Sequence, residues 1–266
     1  MTRFRFAPVI FTLVFFYGCA KKDKEHLFTS LPAGKTHIDF SNHLPEKKLF
    51  NILYYLYYYN GGGVATGDIN NDGLPDLYFT ANENGKNKLY LNKGNLEFED
   101  ITATAGVQGI SDWCSGVTMA DVNGDGLLDI FVSTISNKFG LKGHNELYIN
   151  NGNKTFTEKS QSYGLDFSGL TTQSVFFDFD HDGDLDCYVL NQSDRPHANV
   201  VDTVSRHKYD SLSGDILYRN DIKTTGRFTD VSKQAGIYQS NLGYGLGLAV
   251  ADLNNDGWED IYVGND

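Results

Sequence analysis

Residues 68–76, DINNDGLPD, belong to a pattern, Asp-x-(Asn/Asp)-x-Asp-Gly-x-x-Asp, that the chain repeats four times. The other copies begin at Asp121, Asp178 and Asp252. Each copy has side-chain oxygens at positions 1, 3, 5 and 9 and a glycine at position 6. Hard cations such as calcium take about six to eight oxygen ligands. Glycine permits the left-handed turn that folds position 9 back toward the ion. The repeated pattern therefore predicts up to four structural Ca²⁺ loops.

The predicted ligands are the side chains at positions 1, 3, 5 and 9 and the backbone carbonyl of position 7, where the residue type varies. The full predicted set is Asp68, Asn70, Asp72, Leu74, Asp76, Asp121, Asn123, Asp125, Leu127, Asp129, Asp178, Asp180, Asp182, Asp184, Asp186, Asp252, Asn254, Asp256, Trp258 and Asp260. The alternative is a set of ordinary Asn/Asp/Gly turns. Turn chemistry alone, however, does not require an acid at position 9 in every copy.

The flanking residues distinguish these loops from EF-hands. An EF-hand requires a bidentate Glu at position 12 and a helix on each side. Here position 12 is Phe or Val in every copy, and short runs rich in β-branched and aromatic residues follow each loop, such as LYFTA at 77–81 and IFVST at 130–134. Such runs are typical of strands. We therefore predict that each loop connects two strands of a hairpin.

The repeat unit is larger than the loop, because successive loops start 53, 57 and 74 residues apart. Each complete unit contains four strand-like segments, two flanking the loop and two after it. In the first unit these segments are 61–67, 77–81, 87–92 and 96–102. Four antiparallel strands per repeat, each sheet packed against its neighbours, describe the blades of a β-propeller. The predicted fold is therefore an all-β propeller of four-stranded blades with calcium loops.

The sequence GGGVATGDINNDGLPDLYF (61–79), followed by KLYLNKG (88–94) and FEDIT (98–102), resembles the FG-GAP or VCBS-type repeat family. The similarity covers roughly residues 36–266. It is closest to Bacteroidetes-type VCBS-repeat lipoproteins related to the cartilage acidic protein and ASPIC/UnbV family. The resemblance implies a propeller, usually seven-bladed, with calcium loops near one rim, as in integrin α subunits. It implies no particular reaction.

Only about three and a half blades are expected in this chain, because residue 266 follows the second strand of the fourth unit. We therefore expect a fragment of a longer ring or a truncated gene product. Residues 36–41 match the fourth-strand pattern of 226–232. They are predicted to be an outer strand that closes the last blade, with its partners beyond Asp266.

The N-terminus is typical of an export signal. Two arginines precede an apolar run at 6–17, which is too short to span a bilayer as a helix. The residues up to Cys19 resemble a bacterial lipoprotein cleavage box. The resemblance implies a signal peptide at 1–18, lipidation of Cys19 and a tether at 19–35. A cleaved secretory peptide without lipid is the alternative. The predicted location is the bacterial cell envelope, as an outer-membrane lipoprotein, with surface exposure left open.

The formal net charge is −12, which disfavours nucleic acid as a partner because phosphate binding needs clustered Lys and Arg. The four loops contain 15 of the 34 acidic residues. Much of the negative charge is therefore explained by metal binding rather than by a basic partner.

Several residues outside the loops are candidates for other roles. Cys187 takes the place of an apolar residue and is expected to be buried; a disulfide with Cys114 is the minority interpretation. The aromatic run 50–59 suits sugar stacking or protein contacts, but a buried strand is favoured. His181, at position 4 of its loop, is expected to face solvent. In the long connection 191–214, the residues that could line a ligand site are Asp194, Arg195, His197, Asp202, Arg206 and His207.

No arrangement of nucleophile, base and metal typical of an enzyme occurs in the sequence, so we expect a protein that is not an enzyme. The predicted function is that of an exported, lipid-anchored calcium-binding propeller. It would act as a ligand-binding or adhesion module for a glycan or an envelope protein. The alternative is a non-catalytic part of a polysaccharide-processing enzyme whose active site lies in missing blades or a downstream domain.

Overall fold

The computed structural model describes residues 27–44, 47–193, 204 and 207–266. Contacts divide the chain into two compact units, Met1–Leu31 and Pro32–Asp266, and every element below belongs to the second. The predicted signal peptide and Cys19 lie outside the described residues, as do residues 20–26 of the predicted tether. No helix within the described ranges is long and apolar enough to cross a membrane.

In the part of the chain that the structure describes, fourteen strands form three four-stranded antiparallel sheets and one two-stranded sheet, and strand order within each sheet follows chain order. Blade one contains β1 (Val64–Gly67), β2 (Asp76–Phe79), β3 (Lys88–Asn92) and β4 (Phe98–Asp100). Blade two contains β5 (Cys114–Ala120), β6 (Asp129–Thr134), β7 (Glu146–Asn150) and β8 (Phe156–Glu158). Blade three contains β9 (Thr171–Phe177), β10 (Asp186–Asn191), β11 (Ile216–Asp221) and β12 (Arg227–Asp230), and blade four contains β13 (Gly245–Ala251) and β14 (Asp260–Asn265).

Among the described residues, α-helix is limited to four single turns: α1 (Ala33–Thr36), α2 (Thr102–Ala105), α3 (Ser160–Tyr163) and α4 (Ile222–Thr225). The predicted all-β fold of four-stranded units is thus confirmed. In each blade the predicted calcium loop connects the first strand to the second, and the pairing closes directly around it. The pairs that close the loops are Gly67 with Asp76, Ala120 with Asp129, Phe177 with Asp186 and Ala251 with Asp260.

The second strands of blades two and three, β6 and β10, are buried on both faces. In β6, Ile130 and Val132 pack in a cluster with residues of blade one, whereas Phe131 packs in a cluster with blade three. In β10, Cys187 packs in a cluster with residues of blade two, whereas Tyr188 packs in a cluster with residues of blade four. Successive strand side chains point to opposite faces, and each fully buried large apolar side chain stabilises the fold by about 1.5–3 kcal/mol. The hydrophobic core therefore lies between the blades.

Both cysteines are buried free thiols, so the predicted apolar environment of Cys187 is confirmed and the disulfide with Cys114 is not formed.

The first strands of consecutive blades lie side by side, β1 against β5, β5 against β9 and β9 against β13. Their approach depends on glycine. A Cβ at Gly63 would lie 3.0 Å from the Cα of Gly116, and a Cβ at Gly116 would lie 2.6 Å from the carbonyl oxygen of Thr172. Side-chain hydroxyls link the same strands, since Thr118 Oγ1 donates to the carbonyl of Ser174 at 2.6 Å. Close contact along the first strands thus sets the spacing of the blades.

The aromatic run 50–59 forms turns, so the prediction of a buried strand there is wrong. Its burial is only partly as expected: Phe50, Tyr55 and Tyr58 are buried, whereas residues such as Tyr59 are exposed. The buried rings join residues at the starts and ends of strands in blades two and three. This aromatic cluster consists of Phe50, Tyr55, Tyr58, Trp113, Ile135, Leu141 and Leu170.

Residues 36–41 do not form the outer strand predicted for them. His37 ends α1 in a left-handed conformation (φ 60°), which interrupts extended backbone. The segment packs instead on blade one, where Phe40 stacks on Phe79 with ring centroids 5.0 Å apart. The carboxylate of Asp39 accepts a hydrogen bond from the Tyr90 hydroxyl at 2.8 Å.

Candidate metal loops

The aspartate at position 1 organises each loop. Asp68 accepts hydrogen bonds from the backbone N–H groups of Asp72 (3.1 Å) and Gly73 (2.6 Å), and Asp252 accepts the equivalent bonds at 3.1 and 2.8 Å. Burial acts to raise the pKa of Asp68, but the N–H donors outweigh it, so this pKa lies below its usual value. Position 1 is thus held as a carboxylate with its oxygens at the centre of the turn.

Two positions in every loop have left-handed backbone. The glycine at position 6 has φ between 85° and 90° in all four copies, which explains its recurrence. Position 4 is also left-handed, with φ of 57° at Asn71, 74° at Gly124, 58° at His181 and 62° at Asn255. Glycine adopts this conformation readily, and asparagine and histidine are the kinds of residue that are enriched there among the others.

The aspartate at position 9 is fully buried in the first three loops. Asp129 Oδ2 accepts the N–H of Val122, at loop position 2, and its Oδ1 accepts the N–H of Asn150, at the end of β7. Burial raises the pKa of Asp129 to about 6, and likewise that of Asp186 to about 6. Position 9 therefore ties each of the first three loops to the third strand of its blade, in addition to any role as a metal ligand.

An asparagine at the end of the third strand, which sequence reasoning did not identify, connects neighbouring loops. The amide of Asn150 donates to the carbonyl of Leu128 in its own loop (3.1 Å) and to that of Ile69 in the loop of blade one (2.8 Å). Asn220 likewise donates to Leu185 (3.0 Å) and to Val122 of the preceding loop (3.1 Å). The sequence Leu-Tyr-x-Asn recurs in the third strands, and this recurrence is the signal from which the asparagine could have been identified. The loops are thus joined in series.

Positions 3 and 5 are paired by hydrogen bonds in three of the loops. Where position 3 is asparagine, its amide donates to the position 5 carboxylate at 2.9–3.0 Å, as in Asn70 with Asp72 and Asn123 with Asp125. This bond relieves repulsion among the acids. Loop three has Asp180 at this position, and a carboxylate has no N–H to donate.

Loop three therefore concentrates negative charge. One oxygen from each of Asp178, Asp180 and Asp186 lies within 4.8 Å of the others, and no other such group of acids, histidines or cysteines was found in the described part of the chain. Asp180 Oδ1 and Asp184 Oδ1 are buried without a hydrogen-bond partner. Burial and the nearby Asp182 carboxylate raise the pKa of Asp180. Clustered, unpaired oxygens of this kind fit a hard divalent cation.

The carboxylate of Asp184, at position 7, has a cationic neighbour. Its Oδ2 lies 3.1 Å from Lys223 Nζ. Both residues line a cavity of about 340 Å³ between loops two and three. At the other three loops position 7 is Leu74, Leu127 or Trp258, and its N–H donates to the position 5 carboxylate at 2.9 Å. That position 7 offers only its backbone carbonyl to the ion stays a prediction.

His181 is exposed, as predicted, but it also contacts the next loop. Its ring stacks on Trp258 with centroids 4.2 Å apart and planes within 5°, and its Nε2 lies 2.9 Å from Glu259 Oε2. In the same way, the amide of Asn71 donates to the carbonyl of Gly126 in loop two at 3.1 Å. Position 4 thus joins a loop to the one that follows.

The long connection of blade three is described only in part. Asp194, Arg195, His197, Asp202 and Arg206 lie outside the described residues. His207 lines a cavity of about 590 Å³ together with Tyr209 and Tyr238.

Residues 68–132 and 135–189 match the family described as FG-GAP-like repeat. These segments contain the first three loops. The chain therefore contains FG-GAP-like repeats, as the sequence motifs predict.

The chain is also similar to cartilage acidic protein 1. It is 29% identical over 211 residues to the protein of Xenopus tropicalis, and this alignment covers 77% of the chain and 29% of the relative. It is 28% identical over 212 residues to the protein of Homo sapiens, covering 77% of the chain and 28% of the relative. The chain thus spans less than a third of the length of these homologues. The narrower resemblance to Bacteroidetes-type lipoproteins stays a prediction.

A solved structure concerned with recognition of non-reducing terminal N-acetylglucosamine by an Agrocybe aegerita lectin aligns with 76% of this chain and 42% of its own, at 15% identity and a TM-score of 0.36. That similarity is too low to bear on fold or function.

Proposed function

We propose that this chain is part of a calcium-stabilised β-propeller that is exported, anchored by lipid at the bacterial cell envelope, and used to bind a glycan or a protein ligand. The FG-GAP-like repeats support a ligand-binding module. The four corresponding loops support calcium. The proposal assigns no catalytic activity to the chain, because the acids that cluster are those needed as metal ligands.

The observation that best supports the calcium proposal is the cluster of acidic oxygens in loop three, where Asp180 Oδ1 is buried without a hydrogen-bond partner. The ion would be held by the side chains of Asp178, Asp180, Asp182 and Asp186 and by the backbone carbonyl of Asp184. Calcium would neutralise these carboxylates and fix the hairpin, which is a structural role. Loops one, two and four offer an asparagine oxygen in place of one carboxylate, and fewer charged ligands give weaker sites.

Calcium binding is tested by titrating the metal-free 266-residue chain in a calorimeter and by melting it in calcium and in EDTA. We expect saturable binding of up to four ions and a melting temperature that falls markedly in EDTA. Equal melting temperatures in the two conditions would contradict structural calcium. Magnesium serves as the control, because it demands a smaller and more regular octahedral site.

Lipid anchoring rests on the sequence around Cys19 and is tested separately. The chain with its N-terminal segment is produced in a Gram-negative host, and membrane fractions are compared for the natural sequence and Cys19→Ser. We expect the natural chain in the detergent-soluble membrane fraction, with the mass of a diacylglyceryl group on its N-terminal peptide. Recovery of both proteins in the soluble exported fraction would support the unlipidated alternative.

Ligand binding is tested by probing glycan and extracellular-protein arrays with the chain in excess calcium. We expect hits that vanish in EDTA, because the loops position the surface between blades. Hydrolysis of arrayed polysaccharides, measured as released reducing ends, would contradict the non-catalytic assignment.

A further inference from the structure

A second candidate site opens at the end of the strands opposite the calcium loops. The loops follow the ends of the first strands, whereas this cavity is bounded by residues at or near their starts: Ser115 in β5, Thr172 in β9 and Leu246 in β13. Its volume is about 270 Å³. Blades two, three and four each contribute one wall of the cavity. Tyr55 and Tyr57, from the aromatic run 50–59, contribute a further wall. A concave site assembled from several rigid elements is typical of ligand binding.

Aromatic rings form part of the lining. Tyr55 and Tyr57 meet edge to face, with centroids 6.3 Å apart and planes at 78°. Trp113 is fixed from behind by Phe50, whose centroid lies 4.6 Å from that of the Trp113 ring. These rings belong to or border the aromatic cluster and are held by packing rather than free to rotate. A preorganised aromatic wall presents an apolar surface with polar edges at little entropic cost.

The polar groups of the lining are mainly acceptors. Ser115 Oγ donates to the carbonyl of Thr171 at 2.6 Å, and Thr172 Oγ1 donates to that of Gly245 at 2.8 Å. Because each hydroxyl has one proton, these groups are left with lone pairs to offer. Asn60 adds an amide that both donates and accepts. Such a lining suits a ligand rich in hydroxyl donors.

The lining residues include no charged side chain. One of them, Tyr57, donates a hydrogen bond from its hydroxyl to the carboxylate of Asp266 at 2.7 Å. The absence of Lys and Arg from the lining disfavours an anionic ligand. The volume is close to the lower end of the range of about 300–1,000 Å³ for small-molecule sites, which limits the occupant to roughly one ring.

We propose that this cavity binds a single neutral sugar ring, with its hydroxyls on Asn60, Ser115 and Thr172 and its apolar face on the tyrosines. This inference rests on the proposed ligand-binding function and assigns that function a place and a ligand class. It places recognition at the end of the blades remote from the calcium loops.

The test uses the 266-residue chain in excess calcium, with saturation-transfer NMR and calorimetry. The probes are the methyl glycosides of glucose, galactose and mannose, together with glucuronate and tetramethylammonium. Three variants are compared: Leu246→Trp, which fills the cavity from its rim, Asn60→Ala, and Tyr59→Ala as control. Tyr59 lies in the same turn segment but is 69% exposed and is not among the lining residues. Melting temperatures verify that every variant is folded.

We expect at least one neutral glycoside to bind with a Kd on the order of 1 mM, as befits a small ligand. Leu246→Trp and Asn60→Ala should each weaken binding by about tenfold or more, and Tyr59→Ala by less than about twofold. Binding of only glucuronate or tetramethylammonium would overturn the proposal, as would glycoside binding unaffected by Leu246→Trp. If array ligands still bind Leu246→Trp, this cavity is wrong while the ligand-binding function stands. Absence of any array ligand in calcium contradicts the function itself.

Discussion

The side-chain amide of Asn150 lies 2.8 Å from the carbonyl oxygen of Ile69, a residue of the preceding blade's loop. Asn150 is almost fully buried, and the same amide holds Leu128 in its own loop. One side chain therefore connects two candidate metal sites. A change of conformation in either loop changes the hydrogen bonding of the other.

Asn150→Ala should destabilise both loops. It leaves two buried carbonyls without their donor, at a cost of about 1–3 kcal/mol each if unsatisfied. We expect faster amide hydrogen exchange at residues 68–76 as well as at 121–129. Asn151→Ala is the control, because Asn151 bonds only to Thr155 and Thr157 of its own turn. Faster exchange confined to 121–129 would show that the loops are independent.

Asp180→Asn should change loop three into the type found in the other blades. The new amide can donate to Asp182, so we expect the metal-free chain to melt higher than the natural chain. The gain in melting temperature on adding calcium should shrink, because one charged ligand is lost. Asn123→Asp is the matched reverse change in loop two. It should lower the melting temperature of the metal-free chain and enlarge the rise in melting temperature on adding calcium. Shifts of the same sign in both variants would refute this account.

Asp215, outside the loops, makes stability depend on pH. Its carboxylate accepts bonds from the Tyr188 hydroxyl and the Asn191 N–H, both at 2.8 Å, and burial raises its pKa to about 6. The folded chain therefore binds a proton more tightly than the unfolded chain. This contribution to stability is complete below pH 4 and is lost as pH rises through 6.

Asp215→Asn should therefore be more stable than the natural chain at pH 7, by up to about 3 kcal/mol, and close to it at pH 4. Urea unfolding at both pH values measures the difference. The exposed Glu97→Gln is the control and should have little effect at either pH. A variant that is equally destabilised at pH 4 and pH 7 would indicate lost packing rather than a removed charge.

Calcium should alter the fluorescence of Trp258, since its carbonyl is a predicted ligand and its ring stacks on His181. Trp113, the other of the two tryptophans, is buried in the aromatic cluster. We expect the calcium-dependent signal to disappear in Trp258→Phe and to persist in Trp113→Phe. A signal that follows Trp113 instead would place the response at the opposite end of the strands.

Phe50→Ala should cost about 3–5 kcal/mol of unfolding free energy, as large-to-small changes of buried aromatics do. Phe50 is fully buried and contacts the rings of Tyr55, Tyr58, Trp113 and Phe139. Leu53→Ala, at a site 74% exposed in the same segment, should change stability by less than about 0.5 kcal/mol. Urea unfolding distinguishes the two outcomes.

Local patterns predicted the strands and the hairpin loops well, because both depend on residues close in sequence. The aromatic run 50–59 was misassigned since its Tyr and Phe have strand propensity, but no neighbouring strand is available and the rings are buried through turns. The roles of Asn150 and Asn220 were missed because their partners lie in the preceding blade, about 80–100 residues earlier in the chain. Sequence spacing carries no information about which blades touch.

The glycines of the first strands affect how many blades are needed to complete a ring. A methyl group at Gly63 or Gly116 would push neighbouring sheets apart only along their inner edge. Widening that edge alone reduces the wedge angle between adjacent sheets, and a smaller angle requires more of them to complete a circle. Curvature is therefore encoded by side chains that are missing, at a few positions along the innermost strands.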